Sequence, residues 1–320
     1  MFAIRAGKCS RRALVAGTGA FALLALSACG TDSAAKKEPV SLVAPLWTGG
    51  QANTAVAKYI LEKELGYEVT VEEMTEADGW KALGEGKADA VLEDWGLPEQ
   101  VERYVEKEKT VVPGGPLGVT GRIGWFVPRY LADENREITR WENLNKYVEL
   151  FRTQESDGKG VLFQGDPSFK SQDAALIKNL DLNYKLVHLG SEEAQLEKIR
   201  TRAEKEKPFL TYWWTPHWVE AEVGLAEVRL PEYYPGCDAK AEKTACGYQE
   251  TELQKYLNAH FAKKGGNAAE FLKNFEWGED EQNAVAKMIA GDGMSPEGAA
   301  EKWAKENEGI WKKWLWGVDD

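Results

Sequence analysis

Histidine and cysteine are scarce: His188, His217 and His260 are the only histidines, and four cysteines stand among 320 residues. A structural or catalytic zinc draws on Cys and His ligands at short, regular spacings. None of these residues shows such spacing with the others, so no metal and no cofactor is expected. G-x-S-x-G and H-E-x-x-H are also absent, which removes the serine elbow and the zincin helix as starting points for catalysis. Positive charge is in deficit, with 40 Lys and Arg against 52 Asp and Glu for a formal net charge of −12. Nucleic acids and anionic bilayers are held by basic stripes, so neither is an expected partner of the folded body. After residue 26 no apolar run approaches the roughly 20 residues a bilayer span needs, and any membrane channel must be another polypeptide. No internal repeat is seen, and 43% hydrophobic residues supply one large domain or two smaller lobes.

What is present begins with an export signal. Arg5, Lys8, Arg11 and Arg12 precede an apolar run over 13–26, followed by Leu26-Ser27-Ala28-Cys29-Gly30. A basic region, a short apolar core and small residues before the cut define a signal peptide, expected over 1–28 and removed. Leu-Ser-Ala-Cys resembles the lipobox of bacterial lipoproteins, which implies that Cys29 becomes the first mature residue and carries the lipid that anchors the chain to the cell membrane. Ordinary secretion after an Ala-x-Ala-like cut is the alternative. Ser10-Arg11-Arg12-Ala13-Leu14 looks like a twin-arginine signal, so the export route stays open. Residues 29–39, small and polar, read as a tether. With Cys9 discarded and Cys29 lipidated, Cys237 and Cys246 remain in the folded body. Outside the cytosol such a close pair in a Gly/Asp/Lys-rich loop is more often a disulfide than a metal site, contributing roughly 2–3 kcal/mol in the chain-entropy model.

From residue 40 the pattern is α/β. Strands are expected over 40–44, 67–71, 88–92, 123–127, 161–164, 184–188 and 209–213, and helices over 53–65, 78–83, 98–107, 171–180 and 192–205. Helices are expected again over 251–261, 268–275, 279–290 and 296–314. Strands separated by helices form parallel sheets with ligand crevices at their carboxyl ends. Two lobes follow, one from 40–122 with 226–320 and one from 123–225, with the ligand cleft between them.

Thirteen tryptophans are a heavy load, and Trp47, Trp95 and Trp214 fall at expected strand ends, which face that crevice. An indole cage suits a dispersed cation, because the ring face is negative and a trimethylammonium sheds water cheaply; each contact contributes roughly 0.5–2 kcal/mol. Trp303, Trp311 and Trp314 lie on an expected terminal helix, with Trp303, Ile310 and Trp314 at near-helical spacing, and read as packing residues, as do Trp80, Trp141 and Trp277. Trp125 and Trp213 are open between core and crevice. His217, without a nucleophile partner, reads as structural.

Five ordered segments then carry a resemblance: Trp47 in Ala-Pro-Leu-Trp-Thr-Gly, Leu65-Gly66-Tyr67-Glu68-Val69, Gly86-Lys87-Ala88-Asp89-Ala90 leading to Asp94-Trp95, Val127-Pro128-Arg129-Tyr130, and Trp214-Thr215-Pro216-His217-Trp218. Over nearly the whole mature chain they are similar to the glycine betaine and choline receptors of osmoprotectant ABC importers. The resemblance implies a two-lobed, type II-like periplasmic-binding-protein fold, no enzymatic activity, and two partners: a small cationic or zwitterionic ligand, and an ABC permease with its ATPase. It implies that Trp95 and Trp214 wrap an ammonium head, with Trp47 matching a further cage position and Phe169 the candidate from the second lobe. The loop 165–173 ends a strand and opens a helix whose free N–H groups attract a carboxylate, so the backbone of Lys170 and Ser171 is expected to hold a betaine's carboxylate. The chain departs from betaine-binding relatives in having Gly96-Leu97-Pro98-Glu99 where a histidine often follows the Trp95-like residue, and Phe is a weaker cation partner than Trp. Asp94 is read both as a ligand contact and as a residue facing away, Glu93 as structural or exposed. Choline, carnitine, ectoine or an amino acid are alternative ligands. A surface enzyme acting on glycans, which would need paired carboxylates, is the alternative from another class.

Overall fold

The computed structural model describes residues 37–318 apart from residue 155; the signal peptide, Cys29 and most of the tether lie outside them. Among the described residues no helix is long and apolar enough to cross a membrane.

Among the described residues nine strands form the framework: β1 Val40–Pro45, β2 Val69–Met74, β3 Ala90–Asp94, β4 Val111–Pro128, β5 Gly160–Gln164, β6 Tyr184–His188, β7 Leu210–Thr215, β8 Leu225–Val228 and β9 Thr251–Asn258. Their order is β2-β1-β3-β9-β4-β7-β5-β6, with β8 also on β4. β1 runs parallel to β2 and β3, and β5 parallel to β6 and β7. Each parallel set is what strand–helix–strand chirality builds. The two sets meet through β4, which pairs antiparallel with β9 over Val111 to Gly121 and with β7 over Arg122 to Phe126. The sheet is therefore mixed, where the sequence pattern leads one to expect parallel pairing.

Most expected elements form with shifted ends, and three departures have physical reasons. β4 is 18 residues long, although its first part contains Pro113, Gly114, Gly115, Pro116 and Gly118, residues that read as a loop. Bulges between Pro113 and Gly115 and between Pro116 and Thr120 accommodate them, with Gly115 and Gly118 at φ 92° and 98° where other residues are strained. Residues 251–258, expected to begin a helix, are β9: Leu253, Lys255 and Leu257 are buried at alternate positions, a strand period. Asn258 then caps the helix Ala259–Lys264 by accepting from His260 N and Phe261 N. The expected helix 296–314 ends at Glu306, and Asn307 (φ −126°, ψ 33°) breaks it before Glu308–Trp311.

The chain comes back to the first half of the sheet at β9, not at residue 226. β8 pairs with Trp125 to Pro128, and the loop after it, closed by the bonded pair Cys237 and Cys246, is tied to the helix Asp173–Asn179. Gln172 Nε2 donates to Cys246 O at 2.9 Å and Asn179 Nδ2 to Thr244 O at 2.8 Å. The helix Thr48–Lys63 buries Ala52, Val56, Ile60 and Leu61 completely, each large aliphatic stabilising the fold by roughly 1.5–3 kcal/mol. Trp277, Trp303 and Trp314 with Phe275 extend the same core with an aromatic cluster, the Phe275 and Trp314 rings 4.5 Å apart.

Candidate ligand-binding site

The carboxyl ends of β1, β3 and β5 and the end of β7 converge on one small cavity lined by Trp47, Glu76, Trp95, Ile123, Phe169, Lys170, Tyr212 and Trp214. Trp47 follows β1, Trp95 follows β3, and Phe169 stands in the loop after β5. Ile123 and Trp214 are cross-strand partners on β4 and β7, and Tyr212 joins them because it lies two residues from Trp214 on the same strand face. Phe169 meets Trp47 edge-on at 6.1 Å and Trp214 edge-on at 5.8 Å. The four cage rings are only 5–8% exposed, so a guest between them is stripped of water, the condition under which ring–cation attraction is largest.

The cage is held from behind. Glu93, fully buried, accepts from the indole N–H of both Trp47 (2.6 Å) and Trp95 (2.9 Å), and from Asn53 Nδ2 (2.6 Å) and Gln282 Nε2 (2.7 Å). Burial raises its carboxyl and the four donors oppose that rise. Trp213 stacks on Trp214 with centroids 4.5 Å apart. Gly121 makes room for the Trp95 ring, since a Cβ there would lie 2.4 Å from it. Lys170 Nζ donates to Trp95 O at 2.8 Å, bridging the two halves of the sheet, and Tyr212 Oη donates to Lys170 O at 3.0 Å.

Of the residues singled out in the sequence, Trp47, Trp95, Phe169, Trp214 and Lys170 line the cavity together. Asp94 and Ser171 do not. The strand pleat turns Asp94 away, and its carboxylate accepts from Trp80 Nε1 at 2.8 Å and Gly96 N at 2.9 Å. Ser171 is exposed, and its hydroxyl accepts from Asp173 N at 3.2 Å, opening the helix instead of facing the cage. Glu93 is structural. Glu76, Tyr212 and Ile123 went unforeseen. Extending the strand-end argument to β2 finds Glu76, which opens the helix Glu76–Gly84, and alternation from Trp214 finds Tyr212.

Glu76 Oε1 accepts from Trp95 N at 2.8 Å, and its carboxyl is hydrogen-bonded to Asp94. Burial first, then the Asp94 charge, hold Glu76 well above the usual carboxylate range. Asp94 is also raised by burial, against the opposing bonds from Trp80, Gly96 and Glu76.

A second contact crosses the cleft beside the cage. Trp47 opens the helix Thr48–Lys63 without a side-chain cap; its free N–H is met from the other half, where Glu192 Oε2 accepts from Thr48 N (2.6 Å) and Thr48 Oγ1 (3.0 Å). Glu192 Oε1 lies 3.0 Å from His217 Nε2. Since His217 Nδ1 accepts from Val219 N at 3.2 Å, the ring presents Nε2–H to Glu192. All three residues are buried.

A family model described as the substrate binding domain of ABC-type glycine betaine transport system matches residues 38–306. The trimethylamine N-oxide-binding protein of Pelagibacter ubique is 26% identical over 227 residues, which cover 69% of this chain but only 63% of that protein's length. Among solved structures, lactococcal OpuAC, closed on glycine betaine, aligns with TM-score 0.67 at 23% identity over 87% of this chain and 99% of its own. An ABC-transporter choline binding protein in complex with choline aligns with TM-score 0.70 at 21% identity over 88% and 92%. These share the α/β, two-lobed architecture of periplasmic binding proteins with the present chain.

Proposed function

The chain belongs to the family of substrate-binding domains of ABC-type glycine betaine transport systems, and from that premise we propose that it is an extracytoplasmic receptor that encloses a small methylated ammonium compound, glycine betaine or a near relative, and delivers it to an ABC permease. One observation carries the reading: four aromatic rings, two from each half of the sheet, surround a single water-poor cavity. Trp47 and Trp95 supply one side and Phe169 and Trp214 the other. Lys170 adds a cation at the rim with donors to spare beyond Trp95 O. A trimethylammonium head carrying its own anionic oxygen, as in glycine betaine or in the trimethylamine N-oxide named for the Pelagibacter relative, meets both features, methyls in the cage and oxygen toward Lys170.

Uptake and release then proceed by lobe closure about β4. The change of partner between Gly121 and Arg122 supports lobes of 40–121 with 251–318, and of 122–250. Lipid on Cys29 keeps the receptor at the membrane. Calorimetry of the soluble body against glycine betaine, trimethylamine N-oxide, choline, carnitine, proline and ectoine tests the assignment. Saturable binding of at least one methylated ammonium compound, weakened by Trp95→Ala and Trp214→Ala, is expected. Binding of none, or equal binding by both variants, refutes it. Hydrolysis of a glycoside would instead favour a glycan-active enzyme.

A further inference from the structure

We propose that Tyr248 is a positioning residue for Lys170: from the stretch that carries the chain into β9, it fixes where the ammonium stands at the rim of the cage. The inference rests on the methylated-ammonium reading of that cage. Tyr248 lies just before β9, whose first residue, Thr251, pairs with Gly121. Gly121 is the last position of β4 before that strand changes partner to β7. Tyr248 therefore stands at the second of the two passages between the proposed lobes, and a group near such a passage moves little as the lobes close.

The hydroxyl of Tyr248 works in two directions. It donates to Asp173 Oδ1 at 2.5 Å and accepts from Gln172 N at 3.1 Å, as a phenol can. Asp173, completely buried, also accepts from Trp125 Nε1 at 2.7 Å, so the first bond is anchored at its far end. The second holds the backbone just beyond Lys170. The ring takes the other side: Tyr248 meets Tyr212 edge-on at 6.2 Å, and Tyr212 Oη donates to Lys170 O at 3.0 Å. Gln172 Nε2 adds a bond to Cys246 O at 2.9 Å, at the foot of the disulfide loop. The Lys170 backbone is thus clamped by one tyrosine, directly through Gln172 and indirectly through Tyr212. What stays free is the side chain, which reaches Trp95 O at 2.8 Å. Lysine carries its charge on a flexible stem, so the reach of the ammonium depends on where its backbone is held.

The test is a double-variant cycle in the soluble body. Wild type is titrated calorimetrically with glycine betaine and with trimethylamine N-oxide, and the tighter guest is carried through the variants. Tyr248→Phe keeps the ring against Tyr212 and loses both bonds of the hydroxyl, so the Kd should rise about tenfold. Lys170→Met removes the ammonium and should raise the Kd at least as much. In the double variant the Kd should stay within about twofold of Lys170→Met alone, because a guest gains nothing from placing a lysine that is absent. A Kd unchanged in either single variant, or losses that multiply in the double variant, overturns the inference; multiplied losses are what a merely structural tyrosine gives. If Tyr248→Phe does not fold, Gln172→Ala takes its place in the cycle. It frees the same turn from Cys246 O with the hydroxyl intact, and a rise of about fivefold, again absorbed in the Lys170→Met background, is expected. Failure of both guests to bind wild type refutes the methylated-ammonium reading itself, and the inference falls with it.

Discussion

Glu192 is where closure is most open to attack without touching the cage. Its carboxylate joins two segments 144 residues apart, accepting from Thr48 N and Oγ1 across the cleft and from His217 Nε2 on its own side. Lobe opening breaks only the two bonds to Thr48. Hydrogen bonds to a charged group contribute about 1.5–3 kcal/mol each, and the opened groups recover part of that from water. Glu192→Ala should therefore destabilise the closed, liganded form by about 2–3 kcal/mol relative to the open one, a Kd roughly 30- to 150-fold higher at about 1.4 kcal/mol per decade. Calorimetry with glycine betaine reads the affinity, and denaturant unfolding of the free protein checks that the fold survives. Thr48→Val, which keeps the backbone bond and removes the hydroxyl, should show a smaller loss. In the double variant the two losses should fall short of adding, because both act on one contact. Wild-type affinity in Glu192→Ala would refute the latch.

Trp95→Ala should raise the Kd more than tenfold with little change in the unfolding midpoint, whereas Trp311→Ala, which removes a buried ring bonded to Ala304 O at 2.7 Å, should cost about 3–5 kcal/mol of stability and leave the Kd alone; the reverse pattern would exchange their roles. Gly121→Ala places a methyl 2.4 Å from the Trp95 ring, and the ring, tethered to Glu93, has to shift; weaker ligand binding by calorimetry with a retained circular dichroism spectrum is expected. Lys255, buried with its ammonium on Lys273 O and Phe275 O, is pushed by burial from the ordinary 10.5 down to about 8. Between those values the unfolded chain keeps a proton the folded one has lost, so wild type should gain up to about 3 kcal/mol relative to Lys255→Met as pH rises through that window. Parallel stability curves in urea at the two ends would contradict it.

How far the sequence could be read depended on the kind of signal each element carried. Trp47 and Trp95 were legible because a large aromatic just past a buried apolar run has few places to go but the crevice. Asp94 was not, since one residue earlier the pleat reverses direction and no sequence pattern marks where a strand's last side chain points. β9 was missed because Lys255 sits where a core residue belongs; its burial depends on carbonyls 18 and 20 positions away, invisible to any local window. The first part of β4 was hidden by glycines and prolines that serve as bulges. Glu192 opens the charge-rich helix 192–205, where nothing local marks it out, and only the tertiary fold brings it under Thr48.

Glu93 carries a consequence for ligand capture. With a single carboxylate pinning both first-lobe indoles, and Asn53 and Gln282 fixing that carboxylate in turn, half of the cage is assembled before any guest arrives. No ring has to be ordered on encounter, which leaves the swing of the opposite lobe as the event that sets how fast a captured molecule is committed. The same shared tether makes the two indoles a unit: a substitution that retunes one for a new guest shifts the other with it, so changes of specificity in this cage should come through the far wall, at Phe169 and Trp214, whose rings stand on different elements.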